Sequence, residues 1–311
     1  MELDREGVVA AAQRIAGLVE RTPLIEAHLP GGRVWLKAEC LQTGGSFKLR
    51  GATNRLLQLS EVERRAGVVA FSSGNHAQGV AIAAKRLGIP AVIVMPSDAP
   101  ALKVAGTRAQ AAEVVFYDRA TEDRVTIAQA LADERGAVLV PSFDDPHIVA
   151  GQGTAGLELV EQCPEPVRRV LVCCGGGGLS AGIALAVPDA EIVCVEPAGW
   201  DDMGSSLELG RIVPVEPDAP PTLCDALQTP RVSPITFGIL QGRGAQGVSV
   251  SDEEVKAAVR WAWQELQLVV EPGGSVALAA LLAGKVPVEP GTVAALSGGN
   301  IDPALHAELI G

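Results

Sequence analysis

The sequence predicts an α/β protein built on mostly parallel sheets and divided into two lobes. Three observations predict it. Short β-branched runs alternate along the chain with longer helical stretches, the rhythm of repeated strand–helix–strand units. At 311 residues and 48% apolar content, the chain exceeds the size one core usually serves and has material for two. Glycine-rich or small polar turns follow several of the apolar runs, where strands of such folds hand over to helices and ligands bind.

Taken in order, Val34 to Ala38 reads as a strand and Gly51 to Leu59 as a helix, with Lys48 just before its start. Val68 to Phe71 is a short buried strand, followed by the turn Ser72-Ser73-Gly74-Asn75-His76 and a helix from about Ala77 to Leu87. Ala91 to Met95 repeats the theme, as does Glu113 to Tyr117 after a further helix. These elements predict a small, mobile lobe over 51–144, inserted in a large lobe made of 1–50 and 145–311. From Gly151 the chain returns to helix, then to the strand Val170 to Cys174, the glycines Gly175 to Gly178, a helix, and the strand Glu191 to Val195. The proline-rich stretch 214–234 reads as an irregular excursion over the surface. Val255 to Leu268 is an amphipathic helix, and Thr292 to Leu296 a last strand that ends in Ser297-Gly298-Gly299-Asn300.

A formal charge of −12 and a pI near 4.9 argue against nucleic acid and anionic membrane surfaces as partners, which leaves a small molecule. The start, Met1-Glu2-Leu3-Asp4-Arg5-Glu6, lacks the basic and apolar regions of a signal peptide, and no stretch approaches ~18 uninterrupted apolar residues. A cytoplasmic protein is expected. The six cysteines show no C-x-x-C spacing and lie mostly in apolar runs, so they read as reduced core thiols.

Lys48 carries the most chemistry, since the chain has only six lysines and this one sits beside Phe47 in a run flanked by small residues, Gly44-Gly45-Ser46 before and Gly51-Ala52 after. A desolvated ammonium loses its proton more easily and becomes a nucleophile able to form a Schiff base. The tetraglycine, between a strand and a helix, offers backbone N–H groups to a phosphate. An aldehyde at one end and a phosphate at the other describe pyridoxal phosphate. The same glycines leave a rival open: Gly176, Gly178 and Ala181 give G-x-G-x-x-A, with Glu196 placed to bind a ribose, the fingerprint of a nicotinamide enzyme. Close helix packing without a ligand is the third reading. The turn Ser72 to His76 suits a substrate carboxylate or serves as an ordinary helix cap, and His76 alone is more often structural than catalytic. Glu196 and Asp202 with a carbonyl between them form a candidate site for a divalent cation, magnesium or calcium, or else a solvated loop.

With Ser46-Phe47-Lys48-Leu49-Arg50-Gly51-Ala52, Ser72 to His76, Gly151-Gln152-Gly153-Thr154, the tetraglycine and Ser297 to Asn300 all in order, the chain resembles the threonine dehydratase and serine racemase family. The resemblance spans about residues 20 to 305 and demotes the nicotinamide reading. It implies a fold type II pyridoxal phosphate enzyme, like the β-subunit of tryptophan synthase, and a homo-oligomer, a dimer. Lys48 becomes the Schiff-base lysine, with Phe47 packed against one face of the ring. Asn75 contacts the ring 3-oxygen, Gly175, Gly176, Gly177, Gly178 and Leu179 hold the phosphate, and Ser297 meets the pyridine nitrogen. Ser72, Ser73, Gly74, Asn75 and His76 grip the substrate, and Ser73 matches the serine that handles a proton on the opposite face in the racemases. Glu196, Asp202 and the carbonyl of Trp200 match the family's metal site, although Gly199-Trp200 depart from its usual residues.

The expected reaction is the dehydration and deamination of L-threonine or L-serine, with Lys48 removing the α-proton. Ser297 suits it: a hydroxyl does not keep the pyridine protonated as a carboxylate would, which favours prompt loss of the β-hydroxyl. Serine racemization and hydroxyaspartate dehydration are the alternatives within the family. Pro141-Ser142-Phe143-Asp144-Asp145-Pro146 looks more like the dehydratases. The chain's end soon after Asn300 leads us to expect no C-terminal regulatory domain.

Overall fold

The computed structural model describes residues 3–72, 74–99 and 101–311. Its ten strands are β1 (Leu24–Leu29), β2 (Gly32–Ala38), β3 (Val68–Phe71), β4 (Ala91–Pro96), β5 (Glu113–Tyr117), β6 (Val138–Leu139), β7 (Arg169–Cys173), β8 (Glu191–Pro197), β9 (Gln246–Val250) and β10 (Thr292–Leu296). They form a six-stranded sheet in the order β1-β2-β10-β7-β8-β9 and a four-stranded sheet in the order β5-β4-β3-β6. Every pairing is parallel except β1 with β2. This is the predicted α/β architecture with two mostly parallel sheets.

Both faces of the small sheet are covered. Val68 and Ala70 of β3 join one apolar cluster while Val69 between them joins another, as a period of two requires when helices pack on each side. The large sheet has its own core, in which Leu171, Val193, Ala294 and Leu36 come from neighbouring strands.

Several elements escaped the sequence reading. β1 and β9 lie at the sheet's two edges, where half the residues face outward and no apolar run develops. The helix Pro272–Leu282 is buried all round, so it has no polar face to mark a helical period. Three helices start earlier than expected. Lys48–Leu57 begins at Lys48 itself, Asn75–Leu87 at Asn75, and Pro146–Gln162 before Gly151. The last is set by Asp145, whose side chain accepts from the N–H groups of His147 (2.7 Å) and Ile148 (3.1 Å), with proline at the first helical position. Lys48 and Asn75 therefore sit in first turns of helices rather than in loops.

The motif Gly151-Gln152-Gly153-Thr154 lies in helix, as expected from Gly151 onward, and is buried. A Cβ built on Gly151 would lie 2.7 Å from Gly51 Cα, so glycine at both positions lets two helix backbones touch. Gln152 Oε1 then accepts from Gly51 N–H at 3.0 Å. Beneath this contact Arg50, fully buried, bonds Glu39 (2.8 Å) and Glu158 (2.6 Å), and Lys37 Nζ reaches Glu158 at 2.7 Å. The helix that opens with Lys48 is thus clamped two residues further on by a buried ion network.

Candidate active site

Between the strand ends of both sheets lies a cavity of about 470 Å³, lined by Phe47, Lys48, Ser72, Gly74, Asn75, His76, Cys173, Gly175 to Leu179, Glu271 and Ser297 among others. Nearly every residue expected to hold cofactor or substrate meets here; Ser73 lies outside the described residues. Two helix N-termini open onto it. Among the described residues no side chain caps either Asn75–Leu87, with Gly74 as N-cap, or Gly178–Ala186, with Gly177 as N-cap. In the turn that precedes the first of them, Ser72 Oγ accepts from Gly74 N–H at 3.1 Å, outside the helix. Two sets of first-turn N–H groups and two positive helix ends therefore face one space, an arrangement for two anionic groups.

The tetraglycine is shaped by what crowds it. A Cβ on Gly176 would lie 2.2 Å from the Phe143 ring, and Gly177 adopts φ +83°. Thr236 Oγ1 donates to Gly176 O at 2.8 Å and holds the loop from behind.

Lys48 extends into the cavity with Nζ 4.9 Å from the Phe47 ring centroid and 3.4 Å from Ser142 O. Burial pulls its pKa down to about 8, against the weaker pull of Cys173 and Glu271 in the other direction. A neutral amine is thus available near neutral pH.

The main chain ties the ends of this site together. Phe47 N–H donates to Ser297 O at 3.2 Å, and Ser46 bridges Gly298. Asn75 Nδ2 donates to Glu271 Oε1 at 2.5 Å, while its Oδ1 accepts from Asn300 Nδ2 at 2.7 Å. Burial raises the Glu271 carboxyl to about 7, with the Asn75 bond opposing. His76 bonds Val140 O through Nε2 at 2.9 Å; a carbonyl only accepts, so Nε2 carries the proton and Nδ1 is an acceptor, with no partner among the described residues. Burial and the nearby Lys48 push its pKa down to about 3, so the ring is neutral.

Several lining residues were missed. Glu271, in Val269-Val270-Glu271-Pro272, belongs to no motif, Cys173 reads as a strand thiol, and Arg124 as a helix-surface charge. The stretch 225–234 was read as a surface excursion, but it lines the cavity throughout. Only the fall of the sheet's strand ends around a common space brings these residues in.

Glu196, Trp200 and Asp202 lie outside this cavity. Glu196 accepts from the N–H groups of Met203 (2.9 Å) and Gly204 (2.8 Å), so it is not poised over the tetraglycine as a ribose ligand would be. Among the described residues both Asp202 carboxylate oxygens are buried without a hydrogen-bond partner, and burial pushes that carboxyl up to about 7. Unpartnered buried oxygens beside a second buried carboxylate fit a hard cation, although among the described residues no three His, Cys, Asp or Glu side chains converge on one point.

Among the described residues no helix is long and apolar enough to cross a membrane. The family model for pyridoxal-phosphate dependent enzymes matches residues 15–299. Over 312 residues the chain is 45% identical to an L-threo-3-hydroxyaspartate ammonia-lyase of Pseudomonas sp, covering 97% of both proteins. It is 40% identical over 306 residues to an L-threonine ammonia-lyase of Thermotoga maritima, covering 96% of this chain and 75% of that one. Maize serine racemase superposes with a TM-score of 0.91 at 33% identity, covering 98% of this chain and 96% of that structure.

Proposed function

The chain belongs to the pyridoxal-phosphate dependent enzymes, in the threonine dehydratase and serine racemase family, and on that footing we propose that it is an ammonia-lyase for β-hydroxy amino acids: it dehydrates and deaminates L-threonine or L-serine to 2-oxobutanoate or pyruvate plus ammonia. The observation that carries this reading is a buried amine of lowered pKa, Lys48, facing two uncapped helix N-termini.

The residues present fit the cofactor. A Cβ at Gly176 would collide with Phe143, and the helix behind it has no cap of its own, so Gly175 to Leu179 form a cradle of N–H groups for the phosphate. Lys48 would hold the aldehyde, Phe47 one ring face, Asn75 the ring oxygen and Ser297 the ring nitrogen. The chemistry that the bound cofactor supplies is an electron sink for the pair left at Cα. The N-terminus of Asn75–Leu87, with Ser72, receives the substrate carboxylate. Lys48 Nζ takes the α-proton, and its neutral form is populated near pH 8. Ser73 is the proposed carrier of a proton on the opposite face. We further assign a divalent cation, magnesium or calcium, to Glu196, Asp202 and the Trp200 carbonyl, and treat 51–144 as the lobe that closes over the substrate.

Arg124 favours a second substrate within the same chemistry. It lines the cavity, its guanidinium 5.7 Å from the Phe71 ring, and makes no ion pair among the described residues. A guanidinium without a carboxylate partner suits a substrate that brings its own second carboxylate, as L-threo-3-hydroxyaspartate does.

Steady-state release of keto acid and ammonia from threonine, serine and L-threo-3-hydroxyaspartate, with D-serine formation measured in parallel, decides among these. Threonine or serine with the highest kcat/KM supports the first reading, and oxaloacetate released at least about tenfold more efficiently supports the second. D-serine without keto acid would overturn both.

A further inference from the structure

We propose that Cys173 is a positioning residue for Ser297: its thiol donates a hydrogen bond to the Ser297 hydroxyl and thereby turns that hydroxyl's own proton into the cavity. The inference rests on the cofactor assignment above, in which Ser297 meets the pyridine nitrogen. Cys173 Sγ lies 3.1 Å from Ser297 Oγ, and both side chains are buried yet line the cavity. Sheet order brings them together. β7 ends at Cys173, β10 runs parallel beside it, and Ser297 is the first residue beyond β10.

The direction of the bond matters because a serine hydroxyl has a single proton and can serve a ring nitrogen either as donor or as acceptor. The main chain of Ser297 has no freedom left: its N–H donates to Gly274 O at 3.1 Å and its carbonyl accepts from Phe47 N–H at 3.2 Å. The hydroxyl torsion is what remains to be set. Among the described residues Oγ has no partner but Cys173, so once the thiol proton occupies one lone pair, the O–H is directed at whatever fills the cavity. A thiol donates only while protonated. Burial pushes this one up to about 11, so it stays a donor across the neutral range. Ser297 then faces the ring as a donor, which requires an unprotonated nitrogen opposite it. A cysteine at the end of a buried strand, otherwise a packing residue, thus acts on the electronics of the site through one hydrogen bond.

The test uses the cofactor-loaded protein and three substitutions, Cys173→Ala, Cys173→Val and Cys173→Ser, read by titration of the stripped protein with pyridoxal phosphate and by the pH dependence of the visible absorption band. Loss of one hydrogen bond should weaken cofactor affinity about fivefold in the Ala and Val variants and alter the band's pH profile. Cys173→Ser, which keeps a donor, should restore both. In a Ser297→Ala background, Cys173→Ala should add nothing. Wild-type affinity and spectrum in the Ala and Val variants, or an undiminished effect of Cys173→Ala without the Ser297 hydroxyl, would overturn the inference alone. A wild-type protein that takes up no cofactor would overturn the assignment and the inference together.

Discussion

Glu271 fixes the orientation of Asn75. Its Oε1 accepts from Asn75 Nδ2 at 2.5 Å, and Asn300 Nδ2 donates to Asn75 Oδ1 at 2.7 Å, so the carboxamide cannot flip without breaking both bonds. The amide's remaining N–H is then presented to the cavity. Removing the carboxylate with Glu271→Ala frees the amide and should weaken cofactor binding by about tenfold or more, the scale of a hydrogen bond to a charged group. Glu271→Gln, whose carbonyl oxygen accepts the same bond, should lose much less. Equal losses in the two variants would show that charge, not orientation, is what Glu271 supplies.

Lys48 makes the empty protein's stability depend on pH. Its folded pKa, about 8, lies below the ordinary 10.5, so between those values the unfolded chain holds a proton that the folded chain does not. Stability of the cofactor-free protein therefore rises with pH across that window, and below about 8 the cost of burying the charge is fully present. Lys48→Met should abolish turnover, flatten this slope, and stabilise the empty protein at pH 7 by about 1–3 kcal/mol, discounted for water in the cavity. Denaturant unfolding at pH 7 and pH 10 reads it. A slope unchanged by Lys48→Met would place its origin elsewhere.

The clamp below the site should be structural in its effect. Arg50→Ala leaves Glu39 and Glu158 buried without their guanidinium, and a loss of about 3–5 kcal/mol is expected. Unfolding midpoints measure it, and a loss under about 1 kcal/mol would mean that water enters the network.

Gly176→Ala puts a methyl group 2.2 Å from the Phe143 ring. We expect a stability cost of about 1–3 kcal/mol from overpacking, together with a loss of affinity for pyridoxal phosphate as the cradle deforms. Inorganic phosphate should protect the wild type against thermal unfolding more than it protects this variant.

Arg124→Gln separates the substrate readings. If Arg124 receives a second carboxylate, KM for L-threo-3-hydroxyaspartate should rise by about 10- to 100-fold, with serine and threonine nearly unaffected. A uniform loss on all three would assign Arg124 to the framework of the small sheet.

The turns of the site could be read directly from residue order. Ser72 to His76, Gly175 to Gly178 and Ser297 to Asn300 each follow an apolar run, and short-range backbone demands at a strand–turn–helix junction select small residues there. Lys48 between Phe47 and Leu49 was legible for a similar reason. Helix starts are less so: Asp145-Pro146 carries a capping signature, and the helix begins there rather than at Gly151. Gly151 to Thr154 was recognised as a motif, yet its work is helix-to-helix contact with Gly51, which no local pattern announces.

Alternation of strands and helices, the chemistry of the turns and the reactive lysine follow from the chain's own order, because periodicity and backbone preference act over a few residues. Folding settled the rest: that Glu271 meets Asn75, that Cys173 meets Ser297, that Arg124 and 225–234 line the same cavity as Lys48, and that Asp202 is left with buried, unpartnered oxygens. Those pairings depend on β10 lying between β2 and β7, and on two sheets turning their strand ends to a common space. Such an order arises from the packing of crossover helices across the whole chain, a long-range outcome for which neighbouring residues carry no sign.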